Sequence, residues 1–333
     1  MGKKDAVAKD YMRDPDVFAD AFNYYLYEGK EVIKPENLQE LDVTSITTFY
    51  GDNGKAIPFQ RIRDILKRAT VMSDGEATYL LVLGIENQTQ QDYAMPVRGA
   101  AYDVGEYVCQ VNAAAKKHSK DGKGKLRGEF LSGFHSTDKL IPVVTLVIYF
   151  GPDPWTAPRS LHEMFAVQNP KLLQHVPDYK INLIEPFKMT DDDFNKFSTD
   201  LNSVLKYLKN AGSKRKLEEL TESDAAYQSL AWKTATMLNT ITDSKLKLRR
   251  RKGRVNMCQA IREMREESEA VGEARGLEKG REEGREEGRE EGLGVGLSWL
   301  ADFVKSGVIT LEQAAQKAGL TETEFAAKTG LKR

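Results

Sequence analysis

The sequence predicts a mixed α/β body of about 190 residues with an all-helical remainder behind it. Two nearly continuous apolar runs, at 78–87 and 140–150, are typical of strands buried on both faces of a sheet. Segments before and between them carry apolar residues at spacings of three and four, which is the period of a helix. From residue 191 onward the helical pattern persists. We therefore expect a central sheet flanked by helices, followed by a helical extension.

The first predicted element is a helix over 14–29, because its apolar residues form one stripe. Asp14-Pro15 is a typical cap and first-turn pair, and Gly29 is a typical stop. A loop that contains Pro35 and Pro58 is expected next. Strands are then predicted at 64–72 and 78–87, joined by a hairpin turn at Ser73-Asp74-Gly75-Glu76.

A second helix is predicted over 92–115, ending in a Gly/Lys-rich loop at 116–128. The apolar strand at 140–150 stops at Gly151-Pro152, and a shorter strand is expected at 179–187. The predicted domains are a 1–190 α/β core, a 191–296 helical extension and a small 297–333 helical hairpin.

The extension carries glycine at every fourth residue from Gly272 to Gly296, with the sequence REEG repeated at 281–292. Each glycine costs a helix about 1 kcal/mol relative to alanine, so an isolated helix here would be weak. Self-association or docking would compensate, and a solvated charged linker is the alternative. In the hairpin, Thr310 and Thr321 have the spacing of capping boxes. Its second helix carries only one basic residue, which favours a structural hairpin over a DNA-reading helix-turn-helix.

The composition excludes several classes of protein. The chain has 49 Lys+Arg against 50 Asp+Glu and only two cysteines, without the spacing of a zinc site. It has no run long and apolar enough to span a membrane and no secretory signal, so we expect a cytoplasmic protein without a membrane partner. The near-neutral charge conceals two basic segments, at 116–127 and 245–254, which could neutralise phosphates or could be solvated helix faces.

A pair of carboxylates carries the first chemical hypothesis. If the hairpin turn is centred on Gly75, Asp64 pairs with Glu86 on the neighbouring strand, and Gln88 lies on the same face. Two adjacent carboxylates repel at neutral pH, and a divalent cation such as Mg²⁺ would compensate. Alternatively, each carboxylate has a basic neighbour as its partner, and a one-residue shift in register would separate the two.

The string RIRDILKRATVMSDGEATYLLVLGIENQTQQDYAMPVRGAAYD at 61–103 resembles the core of the Rpn/YhgA-like transposase family, recombination-promoting nucleases of the PD-(D/E)xK superfamily. The matching positions are Asp64, Glu86-Asn87-Gln88, Met95-Pro96-Val97-Arg98 and Tyr102. The stretch at 140–165 and the glycine repeat extend the resemblance over most of the chain.

The resemblance implies a restriction-endonuclease-like α/β fold that cleaves DNA with Mg²⁺ or Mn²⁺. Asp64 and Glu86 would hold the metal, and Gln88 stands where the superfamily usually has Lys. The N-terminal helix would add an acid, for which Asp16 and Asp20 are the candidates.

Expected DNA or phosphate contacts are Arg98, Lys123, Lys125, Arg249, Arg250 and Arg251. Arg98 could equally serve a carboxylate next to the site. We expect a homodimer or higher oligomer assembled through the helical tail. The alternative is a DNA-binding or assembly protein that has lost cleavage and works through that tail.

Overall fold

The predicted central sheet is present in the computed structural model, which describes residues 2–41, 44–50, 56–62, 64–71, 79–121, 129 and 132–331. Its strands, in spatial order, are β1 (Leu38–Glu40), β4 (Ile65–Val71), β5 (Tyr79–Gln88), β6 (Val143–Tyr149) and β7 (Asn182–Ile184). Strands β1, β4 and β5 pair antiparallel, whereas β5, β6 and β7 run parallel. The mixed α/β fold class is therefore confirmed.

The register of β4 and β5 is the predicted one. Ile65 lies opposite Ile85, and Val71 lies opposite Tyr79. The hairpin turn assigned to 73–76 lies outside the described residues. Strand β5 is central in the sheet and its core residues Leu83 and Ile85 are fully buried, as its unbroken apolar run indicated.

The loop predicted between the first helix and β4 is wrong for most of its length. Besides β1, it contains β2 (Thr44–Tyr50) and β3 (Ala56–Ile62), which form a separate antiparallel pair. Residues 44–50 are rich in β-branched and aromatic types, which favour strands. Pro58 lies within β3, where a two-stranded sheet leaves an unpaired edge that tolerates the missing N–H.

Helices flank the sheet and continue along the chain after its last strand. They are α1 (Lys3–Met12), α2 (Pro15–Tyr27), α3 (Met95–Asp121), α4 (Pro170–Leu173), α5 (Asp191–Asn195), α6 (Leu201–Asn210), α7 (Lys214–Ser223) and α8 (Trp232–Ile241). As predicted, Asp14 caps α2 by accepting a hydrogen bond from Asp16 N at 3.1 Å, and Gly29 follows the helix at φ +86°. Helix α3 is the crossover that two parallel strands require.

The chain divides into two compact units, Met1–Arg262 and Glu263–Arg333. The predicted boundary at 190 is absent because the next helices pack onto the N-terminal ones. For example, Tyr11 in α1 donates a hydrogen bond to Asp200, just before α6, at 2.7 Å. A short ribbon of β8 (Leu230–Ala231) and β9 (Arg254–Val255) completes the elements described between 230 and 262.

The C-terminal unit comprises most of α9 (Met257–Lys305) together with α10 (Leu311–Ala318) and α11 (Glu322–Thr329). Both predicted capping boxes form, at Thr310 and at Thr321. Ala301, Ala314, Ala315 and Phe325 form its small buried core. None of the described helices combines the length and the apolar composition that crossing a bilayer requires.

Candidate functional site

Asp64 and Glu86 lie at corresponding ends of neighbouring strands. Asp64 immediately precedes β4, and Glu86 lies two residues before the end of β5. Continuing the observed register by one residue puts the two opposite each other. The backbone N–H of Asn87 donates a hydrogen bond to Asp64 Oδ2 at 2.8 Å, which fixes the carboxylate against β5. The structure thus brings together the two acids that the sequence singled out.

The environment of Asp64 disfavours its charged form. Burial raises the pKa of Asp64 above its ordinary value, although the hydrogen bond from Asn87 and the positive charges of Lys9 and Arg98 act in the opposite direction. The net rise means that the surrounding cations do not fully offset the loss of hydration. A further cation at this carboxylate would therefore stabilise the ionised form.

Glu86 is almost completely buried, with 1% of its surface exposed, and it pairs with Arg98. Arg98 Nη2 donates to Glu86 Oε2 at 2.9 Å, while Nη1 donates to Asp92 Oδ2 at 2.8 Å and Nε donates to Tyr102 Oη at 3.2 Å. Burial lowers the pKa of Arg98, but the hydrogen bond with Tyr102 and the charge of Glu86 outweigh it and raise the pKa overall. Arg98 is therefore the carboxylate partner that the sequence suggested, while its contact with phosphate stays a prediction.

An open cleft of about 520 Å³ lies in front of Asp64, Gln88 and Arg98. The first residues of the chain also line it, including Lys3, Lys4 and Asp5. Thr89 Oγ1, which follows β5, donates a hydrogen bond to Asp5 Oδ1 at 2.7 Å and so ties α1 to the end of the strand. The sequence analysis missed these residues. The sole signal available was a charged KKD segment at the start of a helix.

Asp16 and Asp20, the acids expected from the N-terminal helix, are not brought to this cleft. Asp20 is buried and accepts hydrogen bonds from the backbone N–H groups and hydroxyls of Ser198 and Thr199, at 2.5–3.1 Å. Asp16 is exposed, and both acids line a separate cleft of about 360 Å³. Asp20 holds the 198–199 turn in place, and the acid that reaches the Asp64 cleft is Asp5 of α1.

The basic segment at 245–254 is a surface loop with a fixed base. Arg249, Arg250 and Arg251 are exposed, whereas Leu246 is buried and forms two hydrogen bonds with the side chain of Asn239, at 2.8 and 3.1 Å. The guanidinium of Arg250 lies 5.7 Å from the centre of the Trp232 ring. The other predicted DNA contacts, Lys123 and Lys125, lie outside the described residues.

Two histidines that are separated in sequence are neighbours in the structure. The rings of His118 and His135 stack with centres 3.6 Å apart, and His118 Nε2 lies 2.9 Å from Asp138 Oδ2. Asp138 also accepts the backbone N–H of His135 at 2.7 Å. The cluster therefore fastens the end of α3 to the 135–138 turn.

The donor set at Asp64 and Glu86 suits a hard divalent cation. Both side chains offer carboxylate oxygens, which Mg²⁺ prefers over nitrogen or sulfur. Among the described residues there is no group of three or more His, Cys, Asp or Glu side chains that could hold a metal. Two carboxylates still fit Mg²⁺, because this ion keeps several waters and commonly binds through one or two carboxylates together with a substrate phosphate.

Fold and site together define an α/β protein with a pair of acids at the ends of two neighbouring strands inside the sheet, and with a cleft that carries lysines. A family model described as "Putative transposase, YhgA-like" matches residues 2–234, and the chain belongs to this family. The matched range contains α1, Asp64, Glu86 and Arg98. Neither the curated proteins nor the solved structures give a match to the chain.

Proposed function

We propose that the protein is a DNA endonuclease that hydrolyses phosphodiester bonds with the help of Mg²⁺ or Mn²⁺. The observation that carries this proposal is the juxtaposition of the buried Glu86 with Asp64, which lines an open cleft, in a member of a transposase family. The family supplies DNA as the substrate class. The two acids supply the chemistry that phosphodiester cleavage needs.

Asp64 and Glu86 would hold the cation. A divalent ion there would polarise the scissile phosphate and lower the pKa of the attacking water. The raised pKa of Asp64 supports this assignment, since its carboxylate gains most from an added positive charge. The pairing of Glu86 with Arg98 orients the second carboxylate at the same end of the sheet.

The other side chains of the cleft would act on the DNA backbone. Gln88 offers an amide dipole where related nucleases have a lysine charge, so it can orient a phosphate oxygen or a water without neutralising negative charge. Lys3 and Lys4 line the same cleft and would supply that positive charge from α1. The hydrogen bond between Thr89 and Asp5 would hold α1 in this position.

Two surfaces outside the cleft belong to the proposal. The exposed arginines Arg249, Arg250 and Arg251, with Lys123 and Lys125, would bind phosphates and make DNA affinity fall steeply with salt. The helical tail would assemble the chain into a homo-oligomer. We also propose that the protein acts in the cytoplasm.

A second candidate function is DNA binding or assembly without cleavage. One observation favours it: Arg98 already pairs with Glu86. The resemblance to PD-(D/E)xK nucleases adds that Gln88 stands where that superfamily usually has a lysine. In that case the tail and the basic segments would be the working parts.

A plasmid-nicking assay with Mg²⁺, Mn²⁺ or EDTA distinguishes the two functions. We expect the intact protein to nick supercoiled DNA only with a divalent cation, and Asp64→Asn and Glu86→Gln to abolish nicking. Asp16→Asn is the matched control, because this exposed acid lies in the other cleft and its variant should cut normally. Cleavage that survives both site substitutions would refute the assignment, and DNA that is bound but never cut would favour the second function.

A further inference from the structure

Helix α9 has a long stretch that is exposed among the residues that the structure describes. Every residue from 265 to 295 is exposed, and a Cβ added at any glycine from Gly272 to Gly296 would have no heavy atom within 4 Å. The glycines therefore weaken this helix without serving a close approach in the part of the chain that the structure describes.

The last turns of α9 are apolar on two opposite faces. Leu297, Leu300, Ala301 and Val304 belong to the small core that α10 and α11 cover. On the opposite side, Val295, Trp299 and Phe303 are 52%, 67% and 50% exposed. A helix that is apolar on both sides needs a partner on each, and the described chain supplies one for a single side.

The exposed residues form one face together with two glycines. At 100° per residue, Gly288, Gly292, Val295 and Phe303 all lie within about 40° of Trp299 around the helix axis. Their spacings of four, three, four and four are those of a helix-packing seam. We call these five residues the apolar face. Three large side chains sit beside positions where a second backbone can come close.

The two flanks of the apolar face carry opposite charges. Arg289 lies about 80° to one side of Trp299 and Glu291 about 80° to the other. Within the described residues, neither makes an ion pair with its own chain; the ion pair of the repeat is Lys279–Glu283 at 3.4 Å. Both charges are therefore available to a second molecule.

The charges on the two flanks of the apolar face, from Arg289 to Asp302, are self-complementary in one orientation. In a parallel pair related by a two-fold axis along the helices, the Arg289 flank of each copy meets the Glu291 flank of the other on both sides of the seam. The two side chains differ by about 3 Å in height along the axis, which is within their reach. In an antiparallel pair, each flank would meet the same flank of the other copy, so Glu291 of one copy would face Asp302 of the other.

We propose that two copies of this chain dimerise in parallel through the apolar face, with reciprocal Arg289–Glu291 pairs between them. This deepens the assembly role proposed above and is independent of DNA cleavage. The two proposals can fail separately. A protein that dimerises through the apolar face but does not cut DNA would refute only the proposed cleavage, and a protein that cuts DNA but does not dimerise would refute only the proposed dimer.

Cysteine cross-linking of the full chain tests the orientation. In a Cys109→Ser/Cys258→Ser background, we expect Gly288→Cys and Phe303→Cys each to form a disulfide between equal positions under mild oxidation. A mixture of the two variants would form few 288–303 links. Dominant 288–303 links would show an antiparallel pair, and no links at either position would show that this face is not an interface; each result overturns the proposal.

Charge exchange tests the flanks by analytical ultracentrifugation. Arg289→Glu and Glu291→Arg should each weaken the dimer about tenfold, and the double exchange should restore it, because the pairs are then rebuilt with reversed sign. Glu286→Arg is the matched control, since this residue points away from the apolar face. Equal effects of all single variants, or no rescue by the double variant, would refute the pairing.

Trp299→Ser/Phe303→Ser tests the apolar contact. Both side chains are at least half exposed, so the variant should keep its helical circular dichroism and become monomeric. A dimer that persists would overturn the proposal. So would a wild-type monomer that binds phospholipid vesicles through these residues, since the occupant would then be a membrane.

Discussion

Replacing Arg98 by methionine tests the electrostatics of the site most directly. Methionine keeps an apolar stem but removes the charge that balances the buried Glu86. Breaking a buried pair by removing one partner costs about 3–5 kcal/mol. The Arg98 side chain is 41% exposed, so water replaces part of what is lost, and we expect a loss of about 2–3 kcal/mol in the free energy of unfolding.

Urea unfolding followed by circular dichroism measures the difference in the free energy of unfolding between the Arg98→Met variant and the wild type.

Two further variants make the test specific. Arg215→Met is the matched control, because Arg215 pairs with Glu219 at 2.9 Å on an exposed helix surface and its loss should cost less than about 0.5 kcal/mol. In a double-mutant cycle, Glu86→Gln should recover part of the loss caused by Arg98→Met. The reasoning is refuted if the two arginine variants are equally stable, or if the Glu86 and Arg98 effects simply add.

Three other substitutions probe the same region. Asp64→Asn should stabilise the protein at neutral pH and make no difference near about pH 3. Burial raises the folded-state pKa of Asp64, so the wild type loses stability as the pH rises from the unfolded-state pKa to the folded-state pKa of this residue. If this reasoning is wrong, the melting temperatures of the two proteins plotted against pH would give parallel curves. Asp20→Ala should lower the free energy of unfolding in urea by about 2–4 kcal/mol, because four hydrogen-bond donors lose their acceptor. Asp16→Ala should change this free energy little, and similar values for both variants would contradict the structural role of Asp20. Gly151→Ala should lower the free energy of unfolding by about 1–3 kcal/mol, because the added methyl group collides with Tyr149. It should also alter tryptophan fluorescence, since the Tyr149 ring packs edge-on against Trp155 at 5.2 Å. An unchanged spectrum and stability would show that the loop shifts freely.

Local patterns were sufficient to predict much of the fold. The arithmetic that pairs positions summing to 150 holds along the whole of β4, from Ile65 opposite Ile85 to Val71 opposite Tyr79. The caps of α2 and of the C-terminal helices were also predictable, since each depends on residues within four positions. Strands β2 and β3 were missed because Pro35 and Pro58 were read as loop signals, although Pro58 lies within β3 and a two-stranded sheet tolerates proline at its unpaired edges.

The residues of the candidate site also fall into those that a local pattern predicts and those that only tertiary packing brings together. Asp64 and Glu86 could be paired from the sequence, because they belong to one hairpin. Asp5, Lys3 and Lys4 could not, because they reach the cleft through the packing of α1 beside β5, which no local pattern encodes. Asp20 was chosen by its place in a helix, yet its partners Ser198 and Thr199 lie far along the chain.

The position of Arg98 has a consequence for how cation and DNA would bind. While its guanidinium pairs with Glu86 and Asp92, part of the negative charge in the cleft is already balanced, and a divalent cation at Asp64 has to share or displace that pairing. A DNA phosphate entering the cleft offers Arg98 an alternative partner and adds negative charge beside Asp64. We therefore expect weak cation binding to the free protein and tighter binding when DNA is present. Because such coupling is reciprocal, the cation should strengthen DNA binding by the same factor, and Arg98→Met should remove most of the coupling while leaving the two acids in place.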